Sequence, residues 1–422
     1  MQTYESYVNE ALENYAKLPQ EMNELYKRHH ITIPDGFNFQ ADSKEDMSGM
    51  INDYKQSLGI DFDIAIGSQT HVIKDNKHIK FEQFDAQGDK VSRMLHKNSD
   101  DKFVALINAH SRRFVSIDIP KNSEVELKIL FMNSELPHAS HVFVNVQEGA
   151  KLKLVEIYAS SAMKRSMLGV IHEINSAPNS NVEIDALHNE NSNTVALGFM
   201  KNKMGDHSNL KFNTFYNGAE STRVRNFIDA GGATSEISVN EVILGSKTQK
   251  FDINTHIINT GRESNASLES KAVMMDSSFC LLKGFAKVMR GAARSRSYVH
   301  ERGIILDRSA RVDGLPDMSV EESDVKATHS SATAPVDPEA IFYLMSKSID
   351  ELGVRKLIVS GFLAESISKM HNEDARRLSI ALVNSKLENK EFGQMPKVDK
   401  ENIWDFGEER EKDMFLGHYK YR

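Results

Sequence analysis

The sequence predicts a mainly β chain, a β-solenoid carrying helical regions at both ends, and three observations make that prediction. From about Val125 to Val312, short β-rich segments alternate with Asn, Ser, Gly and Asp turns, and most of them show period-2 alternation of apolar residues. A turn motif then recurs every 27 to 30 residues. Ser123-Glu-Val125, Ala150-Lys-Leu152, Ser180-Asn-Val182, Ser208-Asn-Leu210, Ser235-Glu-Ile237 and Asn265-Ala266 occupy equivalent places, with a second strand about halfway between each pair. Two strands per repeat at this period describe stacked coils, each pointing one face into a shared core. Finally, both ends carry three- and four-residue apolar spacing, the mark of helices rather than strands. The competing architecture is an antiparallel sandwich, for which more Pro and aromatic corners over a shorter span are expected.

The elements follow in order. Residues 1–60 form an N-terminal helical region, with Tyr4, Tyr7, Val8, Ala11, Leu12 and Tyr15 on one helix face and a turn at Pro34-Asp35-Gly36. A mixed segment leads in over 61–120. The solenoid core is expected over 121–325. Residues 326–371 are read as a C-terminal helical region. There Asp337 is placed to N-cap a helix with Pro338 at its first position, and Ile341, Leu344 and Met345 form its stripe. Ser348-Ile-Asp-Glu351 has capping-box spacing for a second helix. Along that helix Val354, Leu357, Ile358, Phe362, Ile367 and Met370 recur at helical spacing. A charged tail, 372–422, holds one short helix (Ala375 to Lys386) and an isolated Trp404.

Composition narrows the function. The chain has 422 residues, a formal charge of −8 and 40% hydrophobic content. An acidic balance argues against nucleic-acid binding, which favours a basic face. No apolar run reaches the length of a membrane span. Met1-Gln-Thr-Tyr-Glu-Ser-Tyr7 lacks a secretory pattern, so a cytoplasmic protein is the simplest expectation. The single cysteine, Cys280, excludes an internal disulfide and a multi-thiolate cluster site within one chain; in its apolar setting it reads as a small buried hydrophobe. No P-loop, dinucleotide fingerprint, zinc spacing or nucleophile elbow is present, so the chain has no ATP site of its own and is not expected to be an enzyme. Scattered carboxylates leave a β-helical carbohydrate-active enzyme, or a purely structural solenoid, as rivals.

One stretch carries more. Asp324-Val-Lys-Ala-Thr-His329-Ser-Ser-Ala-Thr, then Asp337, Phe342-Tyr343-Leu344 and Gly361-Phe362, resembles the C-terminal signature of the SufB/SufD family of iron–sulfur cluster assembly scaffolds. That signature reads roughly Val-Lys-Cys-Ser-His-Gly-Ala-Thr, an Asp eight residues after the histidine, Phe-Tyr-Leu, and Gly-Phe. The resemblance extends over about Lys102 to Met370. It takes in Lys102-Phe-Val-Ala-Leu-Ile-Asn-Ala109, Gly149-Ala150 with Leu154-Val-Glu156, Asp252 with Thr255 and His256, and Lys283-Gly284 with Val288. It implies a right-handed parallel β-helix core. It also implies a SufB-like scaffold as partner (a heterodimer, or a homodimer in its place), a SufC-like ATPase docked by the C-terminal helices, and a transient Fe–S cluster shared with the partner. Flavin is known for family complexes, but no residue here signals it.

The departures set the branch. Ala310 stands near the place of SufB's sulfur-holding cysteine, and Ser330, where SufB has Glu, follows the histidine. Ala327 replaces the SufD pattern's cysteine. The chain therefore looks SufD-like. His329, a borderline ligand suited to iron, sits where strands are expected to give way to helix. It is the candidate metal ligand at the partner interface, its rival role being a hydrogen-bonded structural histidine. Phe342, Tyr343, Gly361 and Phe362 are the candidate docking or packing positions.

Overall fold

A computed structural model describes residues 4–21, 31–34, 36–37, 39, 48–67, 71–72, 79–83, 96–111, 113–389, 393 and 396. Asp35 and Trp404 lie outside the described residues.

Two ten-stranded sheets stack into a rod. Sheet A runs, in spatial order, β2 (His71–Val72), β1 (Ile64–Ile66), β5 (Glu124–Asn133), β7 (Lys151–Ser160), β9 (Asn181–Asn189), β11 (Asn209–Tyr216), β13 (Glu236–Gly245), β15 (Asn265–Met274), β17 (Arg296–Ile305) and β20 (Lys326–Pro335). Sheet B runs β18 (Arg311–Gly314), β16 (Phe279–Val288), β14 (Lys250–Asn259), β12 (Ser221–Ala230), β10 (Thr194–Met204), β8 (Ser166–Ser176), β6 (His138–Val146), β4 (Arg113–Ile119) and β3 (Ile79–Gln83), with β19 (Asp317–Val320) also pairing β16. The chain alternates between the sheets, so sequential strands wind around the rod and every second strand pairs in parallel. Among the described strands, only β1 with β2 and β3 with β4, at the N-terminal end, pair antiparallel.

The repeat read from sequence is the pairing register. Val125, Leu152, Val182, Leu210, Ile237 and Ala266 stand opposite one another from strand to strand. The column then continues through Ser297 to Ala327. The corner before it explains the Ser. Asn179, His207, Thr234, Glu263 and Arg294 take a left-handed φ, and the next residue, Ser180, Ser208, Ser235, Ser264 or Ser295, is buried at the bend. The hydroxyls of Ser180, Ser208, Ser235 and Ser264 each donate to the carbonyl three residues back, which satisfies the corner from within.

Side chains of alternate residues fill the lumen, where Ile129, Leu154, Ile184, Val239, Leu268 and Val299 belong to one core. Both outer faces are covered as well. Two helices, α1 (Tyr4–Lys17) and α2 (Ser48–Leu58), come from the N-terminal region, and α3 (Lys102–His110) lies on sheet B. There Phe103, Leu106 and Ile107 meet Met167, Ile171, Leu197 and Phe199. Gly169 admits Ile107: a Cβ there would stand 2.8 Å from its Cγ1. On sheet A, α5 (Glu351–Ser368) and α6 (Glu373–Leu387) bury Val359, Leu363, Ile367, Leu378 and Val383 against Val155, Leu187, Phe215 and Val242. Between β20 and α5 lies α4 (Pro338–Met345).

Four expectations shift. Strands run from Ile64 to Pro335, beyond the span 125–312. Residues 326–335 are a solenoid strand, not the start of the helical region, because their backbone extends the β17 ladder. Asp350, rather than Ser348, caps α5, its carboxylate accepting from the Gly353 N–H at 2.8 Å; Ser348 takes a left-handed φ of 66° in the preceding turn. The buried stripe of α5 is Val354, Val359, Leu363 and Ile367, because that face lies against sheet A and α6; Leu357 is left exposed and Phe362 half-buried. No described helix is long and apolar enough to cross a membrane.

Candidate partner interface and iron site

The terminal strand β20 bonds to β17 on one side, and no described strand pairs with its other edge. His329 stands opposite Val299, a fully buried lumen residue. It therefore occupies the lumen-facing side of the last coil, yet is exposed, because no further described coil closes over it. The expected strand-to-helix corner is not where His329 lies: it is mid-strand, six residues before the strand ends at Pro335. Ser330 stands in ordinary strand backbone and its hydroxyl meets His300 Nδ1 at 2.8 Å, so the glycine of the family pattern is not needed here.

Directly behind this strand, Glu301 shares the lumen-facing column with Ser331. Sheet B is interrupted between β18 and β19, where Leu282 pairs Gly314 but Gly284 has no ladder partner on that side. Glu301 Oε1 accepts the Gly284 N–H at 2.6 Å. Burial, reinforced by Glu241, pushes the Glu301 carboxyl up to about 8. Among the described residues, no group of three or more His, Cys, Asp or Glu is arranged to hold a metal. Cys280 is buried among Phe251, Leu282 and Val312 and burial pushes its thiol well up, as expected of a small hydrophobe. His329 is thus an exposed imidazole on the terminal coil, and the described residues place no further set of ligands around it.

The docking candidates divide between two helices. Asp337 caps α4 as expected, accepting from the Glu339 N–H at 2.9 Å, with Pro338 at the first turn. The helix is Pro-Glu-Ala-Ile-Phe-Tyr-Leu-Met and none of it is buried; Phe342 is 76% and Tyr343 60% exposed, with Met345 exposed beside them. So strongly apolar a helix left bare is informative. Leu352 and Leu357 on α5 are exposed too. Gly361 lies on the open side of α5, with nothing within 4 Å of where a Cβ would stand, whereas Phe362 packs partly on the core beneath. The strand that carries His329 runs directly into α4 through Val336 and Asp337.

Sequence reasoning missed a buried ionic cluster on the outer face of sheet B. Arg223 Nη2 reaches Asp101 Oδ2 at 2.7 Å and Arg225 Nη2 reaches Asp252 Oδ2 at 2.8 Å. Lys283 Nζ stands 3.2 Å from both Asp252 and Glu21, and Arg225 is 3.1 Å from Glu21. Burial opposes ionisation of Asp252, but Arg225, Lys283 and Arg223 outweigh it and hold its carboxyl below the usual carboxylate range. Of this cluster the family pattern takes in Asp252 and Lys283. Glu21 and Lys283 are 262 positions apart, and only folding brings them together. The available signal was charge at outward positions of successive sheet B strands: Arg223 opposite Asp252, and Arg225 and Lys283 flanking Asn254.

Comparison with known proteins agrees with this architecture. Residues 130–362, more than half of the chain, match the family model described as SUF system FeS cluster assembly, SufBD core domain. The chain is 24% identical over 297 residues to the iron–sulfur cluster assembly protein SufD of Bacillus subtilis, covering 69% of this chain and 68% of that protein. It is 21% identical over 244 residues to SufD of Escherichia coli, covering 58% of each. An iron–sulfur cluster assembly SufBD family protein of Pyrococcus horikoshii is 23% identical over 266 residues, covering 62% of this chain and 58% of its own length. The alignments to the last two therefore span less than two thirds of those relatives. With a two-sheet solenoid whose terminal coil carries the histidine of the signature, the chain belongs to the SUF-system FeS cluster assembly family that shares the SufBD core domain, and within it is SufD-like.

Proposed function

We propose that this chain is a non-catalytic subunit of an Fe–S cluster assembly complex, pairing with a SufB-like scaffold and docking a SufC-like ATPase. The observation that carries the reading is the adjacency of two unsatisfied surfaces at one end of the rod. Among the described residues the outer edge of β20 has no strand partner, and a second solenoid would satisfy its backbone groups by continuing the sheet. The bare apolar helix α4 follows immediately, a surface that a protein partner desolvates. The Fe–S cluster is cargo: His329 contributes one imidazole to iron, and the thiolates come from the scaffold.

The coupling is mechanical. Nucleotide-driven closure of two ATPases moves α4 and α5, and α5 is tied to sheet A by Arg355–Asp307 at 2.9 Å, Lys271–Glu365 at 2.9 Å and the Asn240 amide on the Ser366 carbonyl at 2.9 Å. Differential binding in two states then shifts the terminal coils.

Co-purification with both partners, followed by anaerobic reconstitution scored by visible absorbance, tests this. Phe342→Ala with Tyr343→Ala is expected to lose the ATPase and keep the scaffold. His329→Ala is expected to keep both partners and lower the cluster formed per complex. An unchanged yield reduces the chain to an architectural partner, and ATPase capture by the double variant overturns the docking role.

A further inference from the structure

A second buried polar group lies far from the terminal coil, under the segment that leads into α3. Glu173 on β8 and His141 on β6 project from the outer face of sheet B, and His96 comes down on them from the turn before α3. All three are almost fully buried. Glu173 Oε1 accepts the His96 backbone N–H at 2.8 Å, and the same oxygen lies 3.4 Å from His96 Nδ1 and 3.3 Å from His141 Nε2. One carboxylate oxygen thus accepts one amide and stands within ion-pair reach of two imidazoles. Phe199 on β10 meets the His96 ring edge-on and Phe143 stacks on His141, so water has little access. Lys201 on β10, bonded to Asp100 of the same turn, adds a cation to the neighbourhood.

The charge balance of this pocket is fixed by its geometry. Among the described residues Glu173 is the carboxylate that faces both rings, Asp100 being engaged by Lys201, and it offsets one positive charge. A proton on either ring consumes that capacity, and a second meets a charged neighbour, Lys201 and an apolar wall. We propose that His96, His141 and Glu173 form an acid-released latch that fastens the α3 segment over sheet B. Closed, the latch buries Phe103, Leu106 and Ile107 on Met167, Ile171, Leu197 and Phe199. Released, it bares that apolar strip of the sheet. The neighbouring tie between Asp101 and Arg223 pairs a carboxylate with a guanidinium and contains no imidazole, so it does not titrate in the histidine range; His256 of β14, near Glu21 and Arg225, and His110 at the end of α3 are the other imidazoles along this cover.

Burial lowers His96 below the ordinary histidine value of 6.5 despite the pull of Glu173. Burial would raise Glu173, but the hydrogen bonds from His141 and His96 outweigh it and keep it ionised. A histidine held neutral stabilises the closed state above the free value and loses that contribution as pH falls below it. For one such group the open-to-closed ratio rises about tenfold between pH 7.5 and 5.5.

Hydrogen exchange on the full chain, corrected for intrinsic rates, tests the latch. Amides of 103–110 are expected to lose about tenfold protection at pH 5.5 relative to pH 7.5, while those of β11, which carries no histidine, stay level. His96→Gln is expected to flatten the pH dependence. If that variant leaves α3 open at both values, His96→Phe, which fills the space without titrating, takes its place. A change below about twofold in the wild type, the same acid response in both His96 variants, or loss of protection at β11 in step with α3 overturns the proposal.

Discussion

The two coverings of the rod are built from different materials. On sheet A, α5 and α6 press an apolar stripe onto Val155, Leu187, Phe215 and Val242. Their buried polar ties run largely to backbone: the Asn240 amide donates to the Ser366 carbonyl, and the Lys386 amino group to the carbonyls of Asn217 and Leu244. On sheet B, the N-terminal segments also bring apolar residues, but beside them lie three cations and three carboxylates in a nearly dry cluster. Apolar packing is graded and tolerates small shifts. A closed set of buried charges is all-or-none: complete, it is near balance; short of one member, it is strongly unfavourable. Sheet B's cover is therefore specified by pairing and sheet A's by area.

Breaking the ionic side gives the largest effect. Asp252→Ala strands Arg223, Arg225 and Lys283 and is expected to cost about 3–5 kcal/mol, read from the denaturant midpoint. Replacing Asp252 by Asn, which keeps the shape, is expected to lose most of the same amount; near-neutrality would erase the contrast between the two covers.

On the apolar side, Leu363→Ala removes a fully buried side chain from α5 and is expected to cost about 2–5 kcal/mol. Hydrogen exchange should localise the loss to α5 and α6, leaving α3 protected.

Glu301 lies beneath neither cover and serves as the lumenal control. Its folded value is raised to about 8 against an ordinary 4.5, so the fold favours the neutral carboxyl. Stability is therefore whole below the unfolded value and is lost as pH rises from about 4.5 to about 8. Glu301→Gln, which keeps the acceptor for Gly284, is expected to remove that loss, a gain on the order of 2–4 kcal/mol near pH 8. Equal pH profiles for the two proteins would show the carboxyl ionised in the fold.

The smallest effect concerns Gly361, in mid-helix with open space around it. Gly361→Ala is expected to stabilise the isolated chain by about 0.5–1 kcal/mol through helix propensity. Weaker ATPase capture by the same variant would tie the glycine to docking.

Much of this was legible in the sequence because a solenoid writes its register locally. Each corner needs a left-handed residue and a small buried one, so Ser180, Ser208 and Ser235 announce the coils and Val182, Leu210 and Ile237 fall opposite one another. Asp337 could be read as a cap because capping is a matter of two or three neighbouring residues. The cover could not be read in this way. Glu21 meets Lys283, and Asp101 meets Arg223, only after several coils have been wound between them. The motif reveals His329, but its setting in a strand with only one described neighbour depends on where the stack stops. On α5, the pairs Ile358 with Phe362 and Val359 with Leu363 satisfy helical spacing equally, and only contact with sheet A selects the second.

The two ends of the rod differ in one respect that bears on valency. At the N-terminal end, β1 with β2 and β3 with β4 reverse direction, so among the described strands the parallel stacking ends there. The opposite terminus keeps its strand direction to the last residue of β20. If joining is confined to that terminus, as in the proposed pairing, each molecule accepts a single neighbour end to end and then stops, which gives discrete pairs rather than filaments.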